Sequence, residues 1–295
     1  MSRTPSYTMH DGFRMPKGFP LAGLDSGRRY QATADDVFIS TYPKCGTTWM
    51  QNVVWLMLNE GRPMPPSARL TELIPHLEEI GAEFVERLAP PRVIKTHLPF
   101  AMTPYHLNAR YIYVARNPFD CAVSFYHHTR GFIKHYDFED GTFAEYFRCF
   151  VRGEIDFGDY FENVLSWFGH RADDNVFFVT YEDMQTDLRS VVIRLAGFLG
   201  GKALHAVAQA STLEAILEHS GFTAMARDQQ RWASERPANM PAFVRKGVVG
   251  DWENHFTSSQ ALQLLARLDE SAESRALAAL WPTVMERARQ VAYGR

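Results

Sequence analysis

The sequence has few cysteines, no long apolar run and no excess of charge of either sign. Its three cysteines, Cys45, Cys121 and Cys149, are odd in number and lack C-x-x-C spacing. This argues against a disulfide framework and a zinc site, and favours reduced thiols. The longest apolar run, VVWLML, is too short to span a bilayer, and the amino-terminal residues lack the apolar core of a signal peptide. We therefore expect a cytoplasmic protein.

The charge is nearly balanced along a chain without repeats or low-complexity tracts. Its 295 residues include 31 basic and 34 acidic side chains, which give a formal net charge of −3. Nothing in this balance attracts the whole molecule to nucleic acid or to an anionic membrane. An anion must therefore be bound by a local cluster of basic groups, which suggests a small ligand.

Four short apolar segments alternate with helical patterns. The segments are apolar on both faces, as parallel strands covered by helices are, and they run over 36–42, 92–98, 110–116 and 175–182. Apolar spacings of three and four predict helices at 47–60, 117–131, 161–171, 187–200 and 258–272. This predicts an α/β fold with a central, mostly parallel sheet flanked by helices. No linker divides the chain, so we expect residues 1–295 to form a single domain.

The segment FISTYPKCGTTWMQN, residues 38–52, joins the first predicted strand to the first of these helices. Such a joint leaves several main-chain N–H groups unpaired at the positive end of a helix dipole, which predicts an anion-binding loop. The loop is not a Walker A motif, because Lys44 precedes Gly46 instead of following a glycine. Ordinary ATP chemistry is therefore less expected.

Further basic and hydroxyl side chains follow the ends of the later strands. In chain order they are Lys95, Thr96 and His97 after the second strand, Arg116 and Ser124 after the third, and Arg245, Lys246 and Gly247 in a late loop. Each has an ordinary structural explanation when taken alone. Their joint occurrence favours a site at the carboxyl edge of the sheet, and two separate basic clusters suggest two anionic groups.

Four segments resemble signature segments of the cytosolic sulfotransferases, of the sulfotransferase domain 1 type, in that family's order and at similar separations. They are TYPKCGTTW, KTHLP, RNPFDCAVSFYHH and RKGVVGDWENHFT. The resemblance implies a P-loop NTPase-like sulfotransferase fold over residues 36–257. It also implies 3′-phosphoadenosine-5′-phosphosulfate (PAPS) as sulfuryl donor, adenosine 3′,5′-bisphosphate (PAP) as product, a hydroxyl acceptor and no metal.

The resemblance assigns a role to each matching residue. The catalytic set is His97 as general base, Lys44 beside the leaving oxygen, and Lys95 and Ser124 nearby. The 5′-phosphosulfate loop corresponds to Lys44, Cys45, Gly46, Thr47 and Thr48, and the adenine is expected against Trp49, Tyr181 and Phe222. The 3′-phosphate is expected at Arg116, Ser124, Arg245, Lys246 and Gly247, with Phe243 and Val244 also in the cofactor site. An imidazole of ordinary pKa near 6.5 can take a proton at neutral pH, a rate factor of roughly 10² to 10⁴.

Three features depart from the family's pattern. Cys45 stands where the family usually has serine, and its thiol is either an oxidation-prone group of lowered pKa or, as we favour, a tolerated replacement. The places of a short dimer motif hold Glu253, Thr257, Ser258 and Leu262, so the family's usual dimer is not expected. Residues 258–295 do not resemble the family's usual ending and predict a helical cap.

The acceptor is predicted to be small and apolar. Candidate pocket residues are Phe100, Phe132, Tyr136, Phe138, Phe143, Tyr146, Met64 and Ile80, which suit a phenol, a steroid-like alcohol or another apolar alcohol. The proline-rich segment 61–70 is a candidate acceptor lid. Alternative functions are an ATP-dependent small-molecule kinase of similar fold, a non-catalytic nucleotide-bisphosphate binding protein, and a lyase that eliminates a sulfated intermediate.

Overall fold

A computed structural model describes residues 3–227, 229–232 and 242–294. Its central sheet has four parallel strands in the order β4-β3-β5-β6, and a separate antiparallel hairpin pairs β1 with β2. The strands are β1 (Tyr7–His10), β2 (Phe13–Pro16), β3 (Asp36–Thr41), β4 (Arg92–Thr96), β5 (Arg110–Ala115) and β6 (Val176–Thr180). All four predicted sheet strands are present, and the α/β prediction is confirmed.

Helices cover both faces of the sheet. Those of the first half are α1 (Leu21–Arg28), α2 (Thr47–Leu58), α3 (Leu70–Leu73), α4 (Leu77–Ile80), α5 (Ala82–Glu86), α6 (Pro118–Gly131), α7 (Ile133–Tyr136), α8 (Phe143–Val151) and α9 (Tyr160–Phe168). Those of the second half are α10 (Tyr181–Thr186), α11 (Leu188–Leu199), α12 (Gly201–Ala208), α13 (Ala210–Ser220), α14 (Phe222–Ala226), α15 (Gln229–Trp232), α16 (Ser258–Asp269), α17 (Ala272–Ala278) and α18 (Pro282–Tyr293). Short 3₁₀ turns lie at Phe100–Met102 and Asp251–Asn254.

The sheet separates two apolar cores because alternate residues of a strand point to opposite faces. In β3, Phe38 packs into one core, while Val37 and Ile39 pack into the other. The Phe38 side also holds buried residues of α6, α8 and α9 together with the last three helices. The opposite side holds α2 and α11 to α13. Every residue of β3 is buried, which explains why its central residues Val37, Phe38 and Ile39 are apolar on both faces of the sheet.

The carboxyl-terminal residues, predicted to be a helical cap with a helix at 258–272, form the three helices α16, α17 and α18. Thr257 and Gln260 form a capping box that begins α16, and Ser271 caps α17 by accepting the N–H of Ser274. The predicted helix 258–272 therefore ends early, since the chain leaves helical geometry at Ser271. Leu264 and Trp281 are buried against the core of the Phe38 side. Among the described residues, no helix combines the length and the apolar character that crossing a bilayer requires.

Candidate active site

A cavity of about 330 Å³ opens at the carboxyl edge of the parallel sheet. The strand register brings the ends of four strands to this edge, since Ser40 pairs with Thr96, Thr41 with Val114, and Ala115 with Thr180. The residues that follow these strands therefore meet around one space. One half is lined by basic residues and by the loop before α2, and the other half is mainly aromatic.

The loop before α2 has the geometry expected of an anion-binding turn. Lys44 and Gly46 both adopt positive φ, at 70° and 101°, and Gly46 is the N-cap of α2. A Cβ at Gly46 would lie 2.9 Å from the ring of Tyr181, so glycine satisfies both the backbone conformation and the close approach. Thr47 and Thr48 open the helix and line the cavity.

Cys45 is the exception in this loop. Its side chain is fully buried, with its sulfur 3.8 Å from that of Cys121, and it does not line the cavity. Burial, reinforced by Cys121, raises the pKa of the Cys45 thiol well above its usual value. The hypothesis of a reactive, low-pKa thiol is therefore wrong, because the side chain of this loop residue points into the core and not toward the basic groups of the cavity. The predicted contact of Cys45 with the cofactor is also not supported for its side chain, which does not reach the cavity.

His97 is held in one position and one tautomer. Its main-chain N–H donates to Glu78 Oε1 at 2.6 Å, and its main-chain oxygen accepts from Asn163 Nδ2 at 2.9 Å. Its Nδ1 lies 2.8 Å from the main-chain oxygen of Thr41. A carbonyl oxygen can only accept, so Nδ1 carries the proton and Nε2 keeps its lone pair.

The electrostatic environment keeps the His97 ring neutral. Burial lowers the pKa of His97 well below its ordinary value, and the neighbouring Lys95 and His76 side chains lower it further. The pKa of Lys95 is itself lowered by burial, against the opposing influence of Glu79 and Glu78. A neutral imidazole with Nε2 unprotonated is the form that can accept a proton.

Arg116 is the buried cation of the basic half. Its guanidinium donates to the main-chain oxygens of Lys44 at 3.2 Å and Val248 at 3.4 Å, and it lies 4.3 Å from the centre of the Tyr181 ring. Its Nε is buried without a hydrogen-bond partner among the described residues. A buried donor of this kind calls for an acceptor, and an anion in the cavity would supply one.

The second group of cations in this half comes from the late loop. Arg245 Nη2 and Lys246 Nζ lie 2.7 and 2.5 Å from the two carboxylate oxygens of Asp251. Gly247, at φ 62°, lies against Phe222, whose ring would be 2.3 Å from a Cβ at that position. The close contact at Gly247 brings the Phe222 segment and the basic loop together beside Arg116.

Most residues predicted from the sequence line this one cavity. They are Lys44, Gly46, Thr47, Thr48, Trp49, Lys95, His97, Arg116, Ser124, Tyr181, Phe222, Phe243, Val244, Arg245, Lys246 and Gly247. The Lys44 ammonium lies 4.4 Å from the centre of the Phe243 ring, and the rings of Trp49 and Tyr181 meet edge to face at 5.4 Å. These contacts bring together the loop before α2, the start of α10 and the late basic loop, which are far apart in sequence.

The predicted acceptor pocket is largely wrong. Of its eight candidates only Phe132 and Tyr136 line the cavity. Phe138 and Tyr146 are fully buried in the core, and Phe100 instead stacks on His170. These aromatic side chains pack in the core or against other rings, and composition alone does not distinguish such residues from those that line a cavity. Of the candidate lid at 61–70, only Leu70 lines the cavity.

The sequence analysis also missed residues that do line the aromatic half. They are Pro16, Phe19, His76, Glu79, Asp156 and Phe157, from the amino-terminal segment, from α4 and its N-cap, and from the loop between α8 and α9. No motif marks them. Gln51 is different, because it lies one helical turn after Thr47 in α2 and lines the cavity too. Helical spacing could have predicted Gln51.

Known proteins are similar to this chain in both sequence and fold. A family model described as Sulfotransferase domain matches residues 34–274. Human sulfotransferase 2B1 is 36% identical over 272 residues, covering 86% of this chain and 71% of the human protein. The structure of mouse sulfotransferase SULT7A1 complexed with PAP covers 94% of this chain and 99% of its own, at 28% identity and a TM-score of 0.72. Retinol dehydratase, in complex with androsterone and inactive cofactor PAP, shares the fold with a TM-score of 0.75 at 22% identity, covering 91% of each chain.

The fold and the cavity are those of an α/β group-transfer enzyme with its basic loop at the carboxyl edge of the sheet. The chain belongs to the sulfotransferase family, as the family match and the similarity to human sulfotransferase 2B1 show. The resemblance stated from four sequence segments is confirmed. The kinase and the non-catalytic binding protein are therefore disfavoured.

Proposed function

We propose that this protein transfers the sulfuryl group of PAPS to a hydroxyl of a small apolar acceptor, with His97 as general base. The observation that carries this proposal is the hydrogen bond between His97 Nδ1 and the main-chain oxygen of Thr41, 2.8 Å long. It leaves Nε2 unprotonated in the same cavity as Lys44 and Lys95. A fixed base beside two cations is what hydroxyl activation and leaving-group stabilisation require.

The basic half fits the donor on observations of this chain alone. The unpartnered Nε of Arg116 and the cations Arg245 and Lys246 suit the 3′-phosphate. The positive-φ turn at Lys44 and Gly46, at the start of α2, suits the 5′-phosphosulfate. The relatives solved with PAP support the same choice of donor. When bound, PAPS supplies the sulfuryl group and leaves as PAP.

The chain's own groups would then act as follows. His97 Nε2 takes the proton from the acceptor hydroxyl as its oxygen attacks sulfur. Lys44 stabilises the negative charge that grows on the oxygen joining sulfur to phosphate, and Lys95 is a second cation in the same cavity. The sulfuryl group carries less negative charge than a phosphoryl group, so lysines and main-chain amides suffice for this stabilisation.

The aromatic half suits the acceptor. Phe19, Phe132 and Phe157 line it with Tyr136, and such walls favour a phenol or a steroid-like or other apolar alcohol. We further propose that residues 1–295 act as one sulfotransferase domain, since α16 packs against α6 and α8 and α17 packs against α9. A cytoplasmic location stays a prediction.

The test uses the full chain with PAPS and a panel of phenols and alcohols, and measures the sulfated product by mass together with release of PAP. We expect product only when an acceptor is present. His97→Gln should lower turnover by about 10² to 10⁴ while PAP binding, measured by calorimetry, is retained. The matched control is His205→Gln, on an exposed residue of α12 outside the cavity, which should keep full turnover.

Two results would contradict the proposal. The first is sulfation that persists unchanged in His97→Gln. The second is magnesium-dependent transfer of phosphate from labelled ATP in place of sulfation. Mass analysis also separates a sulfate ester from an elimination product, and a dehydrated product would indicate the lyase.

A further inference from the structure

We infer that Asp156 and Tyr136 form a second recognition point in the aromatic half, which binds a second hydroxyl of the acceptor, distinct from the one that is sulfated. The inference rests on the proposed function and names its substrate class, an apolar alcohol or phenol with a second hydroxyl. Asp156 and Tyr136 line the same cavity as His97 and Lys95.

Only one of the two carboxyl oxygens of Asp156 has a hydrogen-bond partner among the described residues. Its Oδ2 accepts from the hydroxyl of Tyr136 at 2.6 Å, and its Oδ1 has no hydrogen-bond partner within the described part of the chain. The residue is 0% exposed. A buried carboxyl oxygen without a partner is costly and uncommon. A ligand hydroxyl that donates to Oδ1 would remove this cost.

The loop that carries Asp156 is held rigidly beside the catalytic histidine. The next residue, Phe157, has a φ of 62°, unusual for a bulky side chain, and its N–H donates to the main-chain oxygen of Arg14 at 2.8 Å. The Tyr42 hydroxyl donates to the main-chain oxygen of Gly158 at 2.9 Å. The Phe157 ring lies 5.0 Å from the His97 ring, centre to centre. Strain kept in place by such contacts is typical of functional sites.

The surroundings favour a hydroxyl over an ammonium group as the partner of Oδ1. Burial raises the pKa of Asp156 to about 7, while the hydrogen bond from Tyr136, its own main chain and the charge of Arg14 act in the opposite direction. The other titratable groups around it are tyrosines, namely Tyr7, Tyr42 and Tyr146. A carboxyl group that is partly neutral at pH 7 offers weak compensation for desolvating a cation, and a hydroxyl costs less to bury.

The experiment compares two series of 4-alkylphenols of increasing chain length, one ending in a methyl group and the other in a hydroxyl group. The products are separated by mass and fragmentation, so that sulfation of the phenol is followed alone. At the best chain length we expect kcat/KM to be about 10 to 100 times higher for the hydroxyl series, since one hydrogen bond to a buried, otherwise unpaired group decides between them.

The variants test whether this preference comes from the proposed pair. Asp156→Ala combined with Tyr136→Phe removes both polar partners and leaves no orphan, and it should bring the ratio of the two series close to one. Asp156→Asn keeps the shape and one acceptor oxygen, so it should keep part of the ratio. The matched control combines Asp140→Ala and Tyr293→Phe, which change two exposed residues outside the cavity, and should leave the ratio as it is.

Three results would overturn the inference. They are an absence of preference at every chain length in the unaltered protein, a ratio that survives in the double variant, and a 4-(aminoalkyl)phenol that is preferred over the hydroxyl series. Failure of the proposed function looks different, because then neither series would be sulfated. The unaltered protein alone decides the first and third of these outcomes, so the inference stays testable if the double variant does not fold.

Discussion

His97 Nδ1 and the main-chain oxygen of Thr41 are joined by a 2.8 Å hydrogen bond between the ends of two neighbouring strands. The bond follows from the sheet, because β3 and β4 run in parallel and finish side by side. The tautomer of the proposed base is therefore set by main-chain geometry. A substitution in the aromatic half of the cavity would leave the hydrogen bond between His97 and Thr41 in place.

The first prediction concerns the ionisation of His97. Burial, with Lys95 and His76 as further causes, lowers its pKa below 6.5, so the ring stays neutral as the pH falls through the range in which ordinary histidines become charged. Nuclear magnetic resonance of the ring protons should show a signal that does not titrate at pH 6.5 and that is missing in His97→Gln. Lys95→Met should raise this pKa, because it removes a neighbouring positive charge. A His97 signal that titrates near 6.5 or above would contradict the prediction.

A second prediction tests two arginines of the basic half, Arg116 and Arg245. Arg116→Lys should weaken PAP binding about 10- to 100-fold, since the lysine cannot reproduce the planar guanidinium and its buried Nε donor. Arg245→Ala should weaken it as well. Calorimetry with PAP measures both, and Arg189→Ala, which removes an exposed partner of Glu214 on the surface, is the control. Unchanged PAP affinity in Arg245→Ala would mean that the 3′-phosphate is placed wrongly.

The third prediction concerns the thiols. Cys45, Cys121 and Cys149 are all buried, and burial raises the pKa of Cys45 and Cys149. A thiol reagent such as dithionitrobenzoate should therefore react slowly with the folded protein and quickly with all three cysteines after unfolding. Cys45→Ser should keep PAP affinity within about threefold, because the side chain does not line the cavity and donor binding by this loop rests on main-chain groups. Rapid modification of Cys45 in the folded protein would contradict this account.

The fourth prediction tests the link between the last helix and the basic half. The indole of Trp281, at the start of α18, donates to Glu182 Oε2 at 2.7 Å, while Glu182 Oε1 accepts from the side chain of Asn117 at 2.6 Å. Trp281→Phe leaves Oε2 of the half-buried Glu182 without this donor and should lower the free energy of unfolding by about 1 to 3 kcal/mol, measured by urea titration. PAP affinity should fall with it, because Asn117 follows Arg116.

The control for this prediction is Trp55→Phe. The indole nitrogen of Trp55 has no hydrogen-bond partner among the described residues, so this change removes a similar volume without breaking such a bond. Equal losses of stability in the two variants would show that only packing is at stake at Trp281.

The sequence predicts where the side chains of the basic half meet, because much of that half is built from residues that follow strand ends. Lys44, His97 and Arg116 each follow a continuous apolar run, and parallel strands bring their carboxyl ends to one edge of the sheet. Local pattern and topology therefore fix where these side chains meet. The late loop with Arg245 is recognisable as a second basic cluster, but only the resemblance places it in the same site, since no strand leads into it.

The aromatic half of the cavity could not be predicted in the same way. Asp156 and Phe157 lie in a loop whose path depends on contacts with Arg14 and Tyr42, far away in sequence. Phe138 and Tyr146 are aromatic, as residues of a pocket wall often are, but their side chains are buried in the core. Local propensity does not distinguish an aromatic side chain that packs from one that faces a cavity.

The ion pairs of Asp251 with Arg245 and Lys246 have a consequence for how the donor is taken up and released. The Asp251 carboxylate and the phosphate compete for the same two cations. Binding of the nucleotide therefore replaces one negatively charged partner of Arg245 and Lys246 by another, and does not neutralise two unpaired positive charges. We expect its affinity to depend less steeply on salt than two uncompensated cations would give. The same carboxylate, by returning to its partners, would speed departure of the spent nucleotide and so shorten each catalytic cycle.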